Sequence, residues 1–74
     1  MNKNLIRPKV KQILKEIKKL KSCFIFIESY NFYPYLSEMT ILSENGFGSL
    51  IVFQDELPYI EKKLSDMGRR VKWN

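Results

Sequence analysis

Residues 34–54, PYLSEMTILSENGFGSLIVFQ, decide the fold of this chain. Two apolar stretches flank Asn45-Gly46, the strongest two-residue signal for a β-hairpin because both positions accept positive φ. Pairing about that dipeptide sets Ile41 opposite Leu50 and Met39 opposite Val52, which gathers one apolar face. The same residues admit a helix from 34 to 44, with Tyr35, Met39 and Leu42 in support and Asn45-Gly46 as its C-cap. The echo of Leu42-Ser43-Glu44-Asn45-Gly46 in Leu64-Ser65-Asp66-Met67-Gly68 supports that helix, although it is too short to be a repeat. The β-branched pair Thr40-Ile41 and the strand that follows favour the hairpin. The hairpin is adopted here; a helical 34–44, giving a two- or three-layer α/β arrangement, is the alternative.

On the N-terminal side, Pro8 to Lys21 reads as a helix. Pro8 suits a first turn, and Val10, Ile13, Leu14, Ile17 and Leu20 recur at the helical period as one apolar stripe. Lys11, Lys15 and Lys18 follow one another down a flank, and Lys18, Lys19 and Lys21 complement the negative end of the helix dipole. Cys23 to Tyr30 is a strand. Its run Phe24-Ile25-Phe26-Ile27 is apolar on both faces, which predicts a central strand covered on both sides. On the C-terminal side, Leu50 to Gln54 is a strand and Asp55 to Gly68 a helix. Asp55 suits the N-cap and Pro58 the first turn. Leu57, Ile60, Leu64 and Met67 form the buried stripe, and Gly68 fits the left-handed residue that ends many helices. Val71 and Trp73 alternate with charged neighbours in a short final strand, 69–73.

The expected fold is therefore α+β: one compact domain, 1–74, in the order helix–strand–strand–strand–helix–short strand. Its antiparallel sheet carries both helices on one face, and residues 1–6 form a loosely held basic tail. In topology alone this order is similar to the core of double-stranded-RNA-binding domains and of some small toxin domains; no motif of either family is present, and fold does not give function.

Chain length and composition narrow the chemistry. A core of this size supplies only about 3–5 kcal/mol. Cys23 is the sole cysteine and there is no histidine, so neither an intrachain disulfide nor a zinc site is expected. Core aromatics, five Phe, four Tyr and Trp73, are left to fill the core, and self-association as a homodimer is a further route to buried surface. Without histidine there is no Ser–His or Cys–His pair, so an enzyme is not expected. Cys23 reads as a buried structural thiol. Gly46-Phe47-Gly48 lacks the further glycines and the Lys-Ser/Thr of a phosphate loop, and the carboxylates show no metal-ligating spacing. No cofactor or metal is expected. The longest apolar runs, Cys23–Ile27 and Leu50–Phe53, are too short to span a bilayer. With no apolar segment behind the basic N-terminus and a lone thiol, a cytoplasmic location is expected.

Charge is unevenly laid out within a net +5. Eight Lys and Arg fall in residues 1–21, none from Ser22 to Glu61, and the rest are Lys62, Lys63, Arg69, Arg70 and Lys72. Six carboxylates occupy the middle: Glu28, Glu38, Glu44, Asp55, Glu56 and Glu61. Two candidate sites follow. The first is Tyr30-Asn31-Phe32-Tyr33-Pro34-Tyr35, whose aromatic density suits an interface with another protein. Phe32 and Tyr30 are expected to fold back on the core, and Tyr33 and Tyr35 to stay exposed. The second is a basic surface of Lys11, Lys15, Lys18 and Lys19 with Arg69, Arg70 and Lys72, suited to phosphates. The leading expectation is a non-enzymatic regulatory or inhibitory module that docks on a partner protein through Tyr30, Phe32, Tyr33 and Tyr35. The alternative is a small RNA- or DNA-binding domain using the basic residues.

Overall fold

The computed structural model describes residues 6–74. Helix α1 spans Pro8–Lys19, strand β1 Cys23–Ser29, β2 Leu36–Ser43 and β3 Gly46–Phe53. A single 3-10 turn, Gln54–Glu56, leads into helix α2, Leu57–Asp66, and strand β4, Val71–Trp73, follows. The sheet order is β3-β2-β1-β4. The first three strands form an antiparallel meander, and α2 carries the chain from one sheet edge to the other. Because of that crossover β4 enters parallel to β1, with Ile25, Phe26 and Ile27 beside Val71, Lys72 and Trp73, and the sheet is mixed. Of the loose tail expected at residues 1–6, positions 1–5 lie outside the described residues; Ile6 is half-buried against the core.

Residues 36–43 form a strand, so the helical alternative for 34–44 does not hold. Ser37, Met39 and Ile41 are buried at a period of two, which a helix could not deliver to one face. The hairpin register also differs from the symmetric pairing about Asn45-Gly46. Ser43 pairs with Gly46, Ile41 with Gly48 and Met39 with Leu50, so Glu44-Asn45 is the loop. No described non-glycine residue has positive φ, whereas Gly46 sits at φ 110°. Asn45 therefore does not supply a left-handed position; Gly46 supplies it one residue later. The shift amounts to two residues, which exchanges partners but leaves Met39, Ile41, Leu50 and Val52 on the same face.

Both helices pack on that face. The core gathers Val10, Leu14 and Ile17 of α1, Ile25 and Ile27 of β1, Met39 and Ile41 of β2, Val52 of β3, and Leu57, Ile60 and Leu64 of α2. Ile13, Leu20 and Met67 close its margin, half-buried. Gly68, at φ 76°, ends α2. Its N–H donates to the Ser65 carbonyl and that of Arg69 to the Leu64 carbonyl, the paired bonds of a Schellman ending. At the other end of α2 the expected cap is corrected. Asp55 is exposed within the 3-10 turn, and it is the Glu56 carboxylate that accepts the Phe53 N–H, at 2.9 Å.

The expectation that β1 is covered on both faces is not met. Ile25 and Ile27 are buried under the helices, but Phe24 is 68% exposed and Phe26 only half-buried. Two helices suffice for one sheet face, and among the described residues nothing lies over the other.

Ile17→Ala is expected to cost about 2–4 kcal/mol in urea unfolding, most of what so small a core supplies, while Lys15→Ala, on the exposed flank, stays within about 0.5 kcal/mol. Ser37, fully buried on the core face, has a hydroxyl with no hydrogen-bond partner. Ser37→Ala removes that unmet group and is expected to leave stability unchanged or raise it by up to about 1 kcal/mol in the same assay.

Candidate interaction surfaces

The uncovered sheet face is built in cross-strand rows that the register fixes. Phe24, Leu42 and Phe47 form the row nearest the hairpin turn. Phe26, Thr40 and Ser49 form the next, with Lys72 beside Phe26. Glu28, Glu38 and Ile51 follow, and Leu36 with Phe53 ends the face. Glu28 and Glu38 stand directly opposite one another, an unfavourable cross-strand pair of like charges. Tyr30 lies close by. Its phenol is pushed above the ordinary tyrosine range by partial desolvation, then by the charge of Glu38, with Glu28 adding to it.

Beyond β1 the aromatic segment turns back into β2 at the end of the sheet marked by Phe53. Backbone bonds hold it there: Tyr30 N–H donates to the Leu36 carbonyl (3.3 Å), Leu36 N–H to Tyr33 (2.9 Å) and Gln54 N–H to Tyr35 (2.8 Å). Tyr33 and Tyr35 are exposed, their rings edge to face with centroids 6.4 Å apart. Tyr30 is half-buried. Phe32 does not fold back on the core: it is 89% exposed at the tip of the turn, because the helix-side core is already filled by aliphatic residues. Phe53, beside this segment, lies under the guanidinium of Arg7, which stands 4.5 Å from the ring centroid.

Arg7 belongs to a cluster that sequence reasoning did not single out. Its Nε and Nη2 donate to the two oxygens of Glu56, each at 2.8 Å, and its backbone N–H adds a third bond at 3.3 Å. Nη2 also donates to the Ile51 carbonyl on the outer edge of β3 (2.8 Å). Burial would push the Glu56 carboxyl up, but the bonds from the Arg7 side chain and from the Phe53 and Arg7 N–H groups outweigh it and hold Glu56 below the usual carboxylate range. The same bond raises Arg7 above its ordinary value. One local signal existed: Glu56 stands three residues after Phe53, the spacing at which a first-turn Glu reaches back to a backbone N–H.

The basic residues divide over two surfaces. Lys11, Lys15, Lys18 and Lys19 are exposed along α1, in the helix layer. Arg69 is half-buried and donates to the carbonyls of Ile17 (3.1 Å) and Leu20, closing the C-terminal end of α1. Arg70 and Lys72 are exposed and line a cleft of about 770 Å³ between the start of β1 and the α2–β4 connection, together with Lys21, Phe24 and Phe26. The Glu44 carboxylate accepts the N–H groups of two cleft residues, Lys21 (2.8 Å) and Ser22 (3.3 Å). These bonds, that from Lys21 first, hold Glu44 below the usual carboxylate range.

Among the described residues no group of three or more His, Cys, Asp or Glu is placed to hold a metal ion, and no helix is long and apolar enough to cross a membrane. Compared with known proteins, the chain matches no family model, no curated protein and no solved structure.

The Arg7–Glu56 pair has a pH signature. A carboxyl whose folded pKa lies below its unfolded value, about 4.3, contributes stability that is fully present above that value and is lost as pH falls through the folded pKa. Glu56→Gln is therefore expected to be less stable than the native chain at pH 7 by about 1–3 kcal/mol, with the gap narrowing as pH drops below about 4. Arg7→Met, which strands a buried carboxylate, is expected to cost about 3 kcal/mol at pH 7. Urea midpoints from pH 7 to pH 2.5 check both; a Glu56→Gln gap that stays constant across that range contradicts the assignment.

Proposed function

We propose that this chain is a small non-enzymatic docking module, regulatory or inhibitory in role, that binds a partner protein through the aromatic end of its sheet. Tyr30, Phe32, Tyr33 and Tyr35 form the anchor, and Phe53 and Ile51 extend it along the uncovered face. The observation that carries this reading is the exposure of large apolar side chains. Among the described residues eleven hydrophobic ones are buried, yet nine large ones, among them Phe32, Tyr33, Tyr35 and Phe53, are exposed. A domain short of core gains stability by burying such groups, so the exposed rings of this turn support reading it as an interaction surface. Tyr and Phe are suited to the role, since each brings a large contact area at small entropic cost. The facing carboxylates of Glu28 and Glu38 give the partner's surface a chemistry: an Arg or Lys set among apolar residues relieves their repulsion on docking.

The test replaces Phe32, Tyr33 and Tyr35 together by Ala. The melting temperature is expected to stay within a few degrees, and binding to the captured partner to weaken by at least 2 kcal/mol, about thirtyfold. Hydrogen–deuterium exchange of the native complex should show protection over residues 30–36. Collapse of the fold in the triple variant assigns the rings to the core instead. Unchanged exchange at 30–36 in the complex places the interface elsewhere.

A further inference from the structure

We propose that the cleft between the start of β1 and the α2–β4 connection binds single-stranded nucleic acid, with a base stacked on Phe24 and the neighbouring phosphates on Lys21, Arg70 and Lys72. This site is separate from the aromatic anchor. Phe24 lies near the start of β1 and Tyr30 just past its end, about 20 Å apart at the usual rise per residue.

Three observations carry the assignment. The first is charge: Lys21, Arg69, Arg70 and Lys72 line the cleft and no carboxylate does; Arg69 is engaged by carbonyls at the end of α1, and none of the other three makes an ion pair among the described residues. Glu44 is engaged by the backbone N–H groups of Lys21 and Ser22 and makes no ion pair with the Lys21 ammonium. The second is the aromatic wall. Phe24 is 68% exposed beside these cations, with Phe26 next along the strand. A π face flanked by positive charge is the combination on which unpaired bases and their phosphates bind. The third is shape and support. A cleft of about 770 Å³ admits a base that has left a stack, whereas bases inside a duplex cannot reach a ring on its wall. The cleft is also preformed, because Arg69 ties its α2–β4 side to the last carbonyls of α1. The lysines of α1 are not part of the site.

The test titrates the native chain into fluorescently labelled dT8 and U8 and follows anisotropy. Binding is expected at low salt, with a log–log salt slope near −2, since three cations at about 0.7 each set it. An eight-base-pair duplex and free thymidine monophosphate are expected to compete weakly. Phe24→Ala should weaken binding about tenfold, the usual effect of losing one stacking ring. Arg70→Glu with Lys72→Glu should abolish it, and Lys11→Glu with Lys15→Glu should leave it within about threefold. Amide shifts of the unaltered protein on adding dT8 should concentrate at residues 21–26 and 68–72, a readout that does not depend on any variant folding. No binding at low salt overturns the proposal. So do shifts confined to α1, equal competition by monophosphate, or equal competition by poly-glutamate, which marks simple ion exchange.

Discussion

The ion pair between Arg7 and Glu56 is the contact on which the arrangement of this small domain depends. It joins segments 49 residues apart: the residue before α1, the outer edge of β3 and the turn that opens α2. Each carboxylate oxygen is hydrogen-bonded, so the buried charge is compensated by direct donors rather than by water. The pair also blunts an exposed sheet edge. The Ile51 carbonyl and the Phe53 N–H, both turned away from β2, are occupied by Arg7 and Glu56 and are not open to a second strand. At the far end of the helix layer Arg69 acts in the same sense, tying the end of α2 to the last carbonyls of α1. Two arginines thus pin two helices at both ends over one sheet face, in a chain that has neither a disulfide nor a described metal cluster to do so.

Fixing both helices on one side has a consequence for the other. The sheet has Phe and Leu side chains on its second face, and the described residues include no third helix over them. This is where sequence reasoning was most and least effective. The stripes Val10–Leu14–Ile17 and Leu57–Ile60–Leu64 are local patterns, and each marks a helix and the side it buries. The Phe24–Ile27 run marks a strand equally well. It does not say whether the second apolar face is covered by the same molecule, because that depends on how many layers the whole chain can supply. The hairpin shows a similar division. Asn45-Gly46 locates the turn, but which of its residues becomes left-handed fixes the partners, and the steric ease of Gly46 decided that. Arg7 and Glu56 left almost no trace, since a contact across 49 residues has no periodicity. Phe32 was misplaced because a hydrophobic side chain in a thin domain was expected to find the core, and aliphatic residues had already filled it.

The charge pattern acquires a direction only once folded. In sequence, Lys21 belongs to the N-terminal basic block, and Arg70 and Lys72 to the C-terminal one. The crossover through α2 brings β4 alongside β1 and so sets these cations around the start of β1. Along β1 the surface then passes from cations with Phe24, through the facing carboxylates of Glu28 and Glu38, to the aromatic turn at Tyr30. A strand seven residues long separates two chemically different ends. The middle is acidic and the far end apolar, whereas the near end sets cations beside one exposed ring.

The length of β4 is what keeps the cationic end open. It pairs with β1 only from Ile25 to Ile27, so the first two residues of β1 have no neighbour on that side. Had the connection after Gly68 entered the sheet two residues earlier, strand backbone would fill the cleft and Arg70 would lie within the ladder. The Schellman ending of α2 and the hold of Arg69 on α1 use those residues before the strand can begin. The residues that terminate one helix and close the other, Gly68 and Arg69, thereby also line the cleft. Its shape follows from the packing of the helix layer, and one of its lining cations, Arg69, takes part in that packing through the carbonyls of Ile17 and Leu20.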